Sequence, residues 1–204
     1  MNGDDAGLRV SRDEMSIIAL VASAGGLDAV SRVLGPLPHD LPASVVVLIH
    51  QEPARANRLV EILRRRTSLA VVAAEHGALL MPGQVIVAPP GKHLLITPSL
   101  AAALVASGVA PPSRPSADLL LTTLATAAGS RAIAVVLSGG GHDGATGATA
   151  VHTLGGIVVA SDEASSKSFS MPRATIERDH AVDHVVPLDG IAELIGSLLI
   201  TSTS

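Results

Sequence analysis

The chain of 204 residues has no cysteine, tryptophan or tyrosine, and Phe169 is its single aromatic residue. Without cysteine there is no disulfide framework and no thiolate nucleophile. Without aromatic side chains there is no stacking surface for single-stranded nucleic acid and no aromatic belt for a membrane interface. Basic charge is also scarce. Fourteen Lys and Arg face eighteen Asp and Glu, for a net charge of −4 and no basic stripe, so nucleic acid is not an expected partner. The one basic cluster, Arg64-Arg65-Arg66, closes a helical pattern, where cations complement the helix dipole. No apolar run approaches the ~20 residues of a membrane span. The start, MNGDDAGLRVSRDEMS, is polar and lacks the apolar stretch of a signal peptide. These absences imply a cytoplasmic protein with no membrane insertion.

What is present is a core of small aliphatic residues: hydrophobic residues make up 48% of the chain. That supply suffices for one sizeable domain. Short β-rich runs alternate with helical patterns. Strands are expected at 16–22, 44–49, 69–73, 133–137, 157–160 and 185–186. Helices are expected at 27–34, 55–66, 116–128 with Ser116 as N-cap, 145–154, 172–178 and 190–200. Two further β runs, 84–88 and 93–97, are punctuated by Met81-Pro82-Gly83 and Pro89-Pro90-Gly91 and are expected to pair as a hairpin. The alternation predicts a doubly wound, mostly parallel α/β sheet between helix layers, with a small antiparallel β-hairpin. Residues 1–14 are expected to form a loose tail and 15–204 a single domain.

In open α/β sheets ligands bind beyond the carboxyl ends of the strands, which turns strand ends into a filter for reactive side chains. Ser23 follows the first strand, where Ala24-Gly25-Gly26 turns the chain into a helix. His50 follows the apolar run 45–49, and the other histidines, His93 among them, lack such a placement. Asp143 lies in SGGGHDGATG, residues 138–147, after the strand that ends at Leu137. A serine, a histidine and an aspartate are the parts of an acyl-transfer triad, although spacing does not show that they meet. The same stretch fits G-x-G-x-x-G at Gly139, Gly141 and Gly144, with Asp162 where a ribose-binding acid belongs, and so also reads as a dinucleotide loop. Against that reading, Asp143 would repel a phosphate, and only about sixty residues follow. His142 and Asp143 are adjacent and point apart, so no metal and no cofactor is expected.

A series of stretches in one order resembles the catalytic domain of the chemotaxis protein-glutamate methylesterases, the CheB family. They are ASAGG (22–26), PLP (36–38), the strand ending at His50, LLMPGQVIVAPPGKH (79–93), RPSAD (114–118), LSGGGHDGATG (137–147), EAS (163–165) and MPRATI (171–176). The resemblance implies Ser23 as nucleophile, His50 as base and Asp143 as the residue that orients it. It implies hydrolysis of γ-glutamyl methyl esters on the helices of methyl-accepting chemoreceptors, and deamidation of receptor glutamines in some members. Around the oxyanion it points to Ala24, Gly25 and Gly140, with Arg114 near the substrate.

Four positions depart from the family pattern: Val21 stands where glycine is usual, Ala24 where threonine is frequent, Gly140 where methionine is usual, and Ser113 where histidine is frequent. Those around the site support a competing reading, a weakly active or non-catalytic module that binds receptors. About fifteen residues precede the first strand, too few for the receiver domain of many members. Two alternatives follow: a stand-alone member, for which a separate regulatory partner would take the place of the receiver domain, or a piece of a longer protein.

Overall fold

The computed structural model describes residues 14–51, 58–108 and 114–201. Seven strands form one parallel sheet in the order β3-β4-β2-β1-β7-β8-β9. They are β1 (Ser16–Ala22), β2 (Ala43–Ile49), β3 (Ala70–Ala73), β4 (Gln84–Val87), β7 (Ala132–Val136), β8 (Ile157–Ser161) and β9 (His184–Val186). A separate antiparallel pair joins β5 (Lys92–Ile96) to β6 (Ala102–Ala106). The helices are α1 (Gly26–Leu34), α2 (Leu59–Arg64), α3 (Ala117–Ala128), α4 (Ala145–Thr153), α5 (Ser170–Ile176) and α6 (Ile191–Thr201).

The sheet is covered on both faces, which is why its central strands are apolar throughout rather than alternating. In β1, Ile18, Leu20 and Ala22 enter a core shared with α1 and α6, whereas Ile17, Ala19 and Val21 face a second core built with α3 and α4. All seven residues of β1 are buried. With almost no aromatic rings to fill space, the layers approach closely through small residues. At Gly147 a Cβ would lie 2.6 Å from Leu121 Cβ, so α4 sits hard against α3 only because that position is glycine. On the other face, Arg32 of α1 grips Asp189, just before α6, through two bonds of 2.7 and 2.6 Å.

The hairpin differs from the sequence expectation. Residues 84–87 do not pair with 92–96; β4 is a parallel strand of the main sheet, between β3 and β2. The partner of β5 is β6, an Ala-rich strand that the turn signals did not mark. Its connection closes through Thr97, whose Oγ1 accepts from Ala101 N, with Leu100 in a left-handed conformation at φ 55°. No glycine or asparagine takes the positive-φ position, so the usual turn signature is missing. The helix expected at 55–66 is observed over Leu59–Arg64, and residues 52–57 lie outside the described residues, as does the expected tail apart from Glu14.

Candidate active site

Strands β2, β1 and β7 are neighbours and parallel, so their carboxyl ends open onto one edge of the sheet. Ser23 follows β1, His50 follows β2, and the loop 138–144 follows β7. Backbone bonds continue the ladder one step past the strands: His50 N donates to Ala22 O at 3.0 Å, and Ser23 N to Ser138 O at 3.0 Å. This extension fixes the hydroxyl-bearing and imidazole-bearing residues side by side. The turn after Ser23 is made by Gly25 at φ 78°, so the left-handed step falls on a glycine and Ser23 itself is not strained. Val21, one of the departures from the family pattern, is a fully buried strand residue paired with Leu48 and Val136, and it lies before the turn rather than in it.

His50 Nε2 meets Asp143 Oδ2 at 2.8 Å. Asp143 is 9% exposed and the imidazole 13%. The carboxylate is fully engaged: Oδ1 accepts from Ser116 Oγ at 3.1 Å and Asp118 N at 3.0 Å, and Oδ2 from Ala117 N at 2.7 Å. Those amides are the first of α3, so the anion rests on a helix N-terminus. Burial alone would raise the Asp143 pKa. The hydrogen bond with His50 and the amides of Ala117 and Asp118 outweigh it and hold the group below the ordinary aspartate value. A neutral His50 that gives its Nε2–H to Asp143 leaves Nδ1 as the nitrogen free to take a proton. Ser23 Oγ makes no hydrogen bond among the described residues.

The N–H groups of Ala24, Gly25 and Gly140 have no backbone acceptor among the described residues, whereas that of Ser23 is taken by Ser138 O. Gly140 has nothing within 4 Å of a built Cβ, so a larger side chain would fit there without displacing the loop. Gly139 is different: a Cβ would fall 2.2 Å from Met171 Sδ and 3.0 Å from Ser23 Cβ. Arg114 contributes through its backbone, its carbonyl accepting from Gln51 N at 3.1 Å beside His50, while its guanidinium bonds Gly108 O at 2.8 Å. Ser113 lies outside the described residues.

The start of α4 is poorly suited to cradle a phosphate, since a carboxylate already occupies part of it. Two amides at the start of α4, Gly144 N and Gly147 N, are already taken by Asp118 Oδ1 at 2.9 and 2.8 Å. Asp162 is spent on a local turn with Ser165. Three contributors lie inside the family-like stretches, but neither periodicity nor the strand-end filter gave them a role. His93 lies in β5, is 5% exposed, and accepts Ser116 N on Nδ1 at 3.0 Å, which ties the hairpin to the α3 N-terminus. Ser138, 1% exposed, donates from Oγ to Ala24 O at 2.8 Å and accepts from Ser168 N at 2.9 Å, which pins the turn after Ser23. Asp118 caps α4 from α3. All three act through backbone groups far away in the chain, where periodicity and motif spacing cannot reach.

A hydroxyl, an imidazole and a buried carboxylate thus lie past three adjacent parallel strands, and the imidazole and carboxylate are joined by a hydrogen bond. The family profile described as CheB methylesterase matches residues 18–195. The crystal structure of the Thermotoga maritima CheB methylesterase catalytic domain superposes with a TM-score of 0.86 at 33% identity, covering 90% of this chain and 98% of that one. The protein-glutamate methylesterase FrzG of Myxococcus xanthus is 39% identical over 175 residues, which is 86% of this chain and 52% of that protein. A protein-glutamate methylesterase/protein-glutamine glutaminase of Burkholderia lata is 38% identical over 195 residues, 94% of this chain and 53% of that protein. The chain belongs to the CheB methylesterase family, and it spans about half the length of the curated relatives it matches.

Proposed function

We propose that this domain hydrolyses glutamate γ-methyl esters on chemoreceptor helices, with Ser23 as nucleophile, His50 as general base and Asp143 as the orienting acid. The observation that carries the proposal is the 2.8 Å bond between His50 Nε2 and Asp143 Oδ2, beside Ser23 at the shared edge of the sheet. Because Asp143 engages Nε2, the base nitrogen is Nδ1. Ser23 Oγ attacks the ester carbonyl while Nδ1 takes its proton, and the carbonyl oxygen becomes an oxyanion. Amides of Ala24 and Gly140, which have no backbone acceptor, are the donors this reading assigns to that oxygen, with Gly25 permitting the approach. The imidazolium, stabilised by Asp143, returns its proton to the departing methoxide, so methanol leaves and an acyl-Ser23 remains. A water then gives a proton to Nδ1 and attacks the acyl carbon, which restores Ser23 and leaves a glutamate carboxylate. Attack on a glutamine amide follows the same course with ammonia as leaving group, in keeping with the paired names of several relatives.

The test is methanol release from a methylated receptor fragment. S23A is expected to reduce release to background while the circular dichroism spectrum is unchanged. Release by S23A at the wild-type rate would refute the assignment. Activity on small esters with none on methylated receptor would instead retain the triad and reject the substrate.

A further inference from the structure

Asp118 and Asp143 exchange roles across two helix N-termini. Asp143, just before α4, accepts from the first amides of α3; Asp118, in the first turn of α3, accepts from the first amides of α4. Two of these contacts close a ring, in which Asp118 N donates to Asp143 Oδ1 and Gly144 N, next in the chain to Asp143, donates to Asp118 Oδ1. The N-cap of α4 is Gly144, at φ 104° with no side chain of its own, so the start of that helix depends on a carboxylate from elsewhere. The helix start and the orienting acid are consecutive residues. Whatever moves Gly144 therefore moves Asp143.

We propose that Asp118 is a positioning residue for the His50–Asp143 pair, holding the backbone from which Asp143 projects. This rests on the assignment of the triad above. A cap that served stability alone would leave the geometry at His50 intact when removed. Here removal frees the segment carrying Asp143 on the side where Gly141 and Gly144, both at positive φ, offer little resistance. Asp118 also sets a second carboxylate beside Asp143, the group that His50 Nε2 meets, so its charge reaches the imidazolium of turnover through that neighbour. Asp118, Asp143 and His50 are the titratable groups joined here, with His93 of β5 bonded to Ser116 at the α3 N-terminus, His142 next to Asp143 in the chain and Lys167 packed against the turn at Gly25; β1 and β7 bring none, and His152 lies in the last turn of α4.

Wild type, D118A and D118N would be compared on a small activated ester, per folded molecule as judged by circular dichroism. D118A is expected to lose kcat on the order of 10²-fold with KM little changed, since a misplacement of about 1 Å has that effect. In D118N the amide oxygen still accepts from Gly144 and Gly147, so kcat stays within about tenfold of wild type. The acid limb of its kcat/KM profile moves to lower pH, because the imidazolium faces one negative charge fewer. Wild-type kcat in folded D118A, or an unmoved acid limb in D118N, would overturn the proposal; if D118A does not fold, D118N decides. Should wild type turn over no ester, the triad assignment fails instead. The low-field NMR signal of the His50 Nε2 proton then decides the positioning role: retained in D118N and lost in D118A supports it, retained in both overturns it.

Discussion

Asp143 is the most heavily bonded side chain at the proposed site. Its four contacts use both oxygens and leave His50 only one orientation in which Nε2 is engaged. An amide in its place would present an N–H₂ toward amide donors and favour the wrong histidine tautomer. D143N is thus expected to lower kcat by roughly 10³–10⁴-fold with little change in KM, read by steady-state kinetics on a small ester. Ser138 sets a different kind of constraint. S138A leaves Ser168 N without its acceptor and Ala24 O without its donor, at a cost of about 1–3 kcal/mol in urea unfolding. An unchanged midpoint would show that water replaces the hydroxyl. The positions of Ser23, His50 and Asp143 were accessible from the sequence because parallel strands deliver their ends to one edge. Their contacts were not, since Asp143 is held mainly by amides of a helix that begins 26 residues earlier.

Between elements, the α3–α4 contact decides whether the loop 138–144 is held in place. Its closeness depends on Gly147, and G147V would drive a branched side chain into Leu121 and the carbonyl of Asp118. Such overpacking costs about 1–3 kcal/mol. Because the same contact seats Asp118 on the α4 amides, activity should fall along with stability, which distinguishes it from an overpacked site elsewhere in the core. The pH dependence of folding belongs here too. The Asp143 pKa is depressed in the fold, so its stabilising contribution is complete above the ordinary aspartate value of ~3.9 and is lost as pH falls through its own lower value. Asp118 is shifted the other way: burial raises it first of all, the amides of Gly147 and Gly144 pull it down, and the charge of Asp143 adds to the rise. The stability difference between wild type and D143N, from urea unfolding, should therefore shrink as pH drops from about 5 to 3. A difference that stays constant over that range would contradict the assignment of the anion to the α3 N-terminus. The hairpin shows where pattern reading failed at this scale. Buried β4 reads as a core strand in composition, yet its punctuation by prolines and glycines suggested a local partner, and the real partner, β6, follows a turn without glycine.

For the molecule as a whole, the doubly wound fold was legible because each central strand is apolar on both faces and each is followed by a helical pattern or a turn. Among the described residues no helix is long and apolar enough to cross a membrane. The departures at Val21 and Gly140 looked threatening in the sequence; in three dimensions one is a strand residue behind the turn and the other faces open space. The central claim is that Ser23, His50 and Asp143 form one working site. The measurement that tests it most directly is reaction of the folded protein with a serine-directed phosphonate, followed by peptide mass mapping. Labelling at Ser23 that disappears in H50A is expected. No labelling of Ser23 in a protein that is folded by circular dichroism, or equal labelling in H50A, would contradict it.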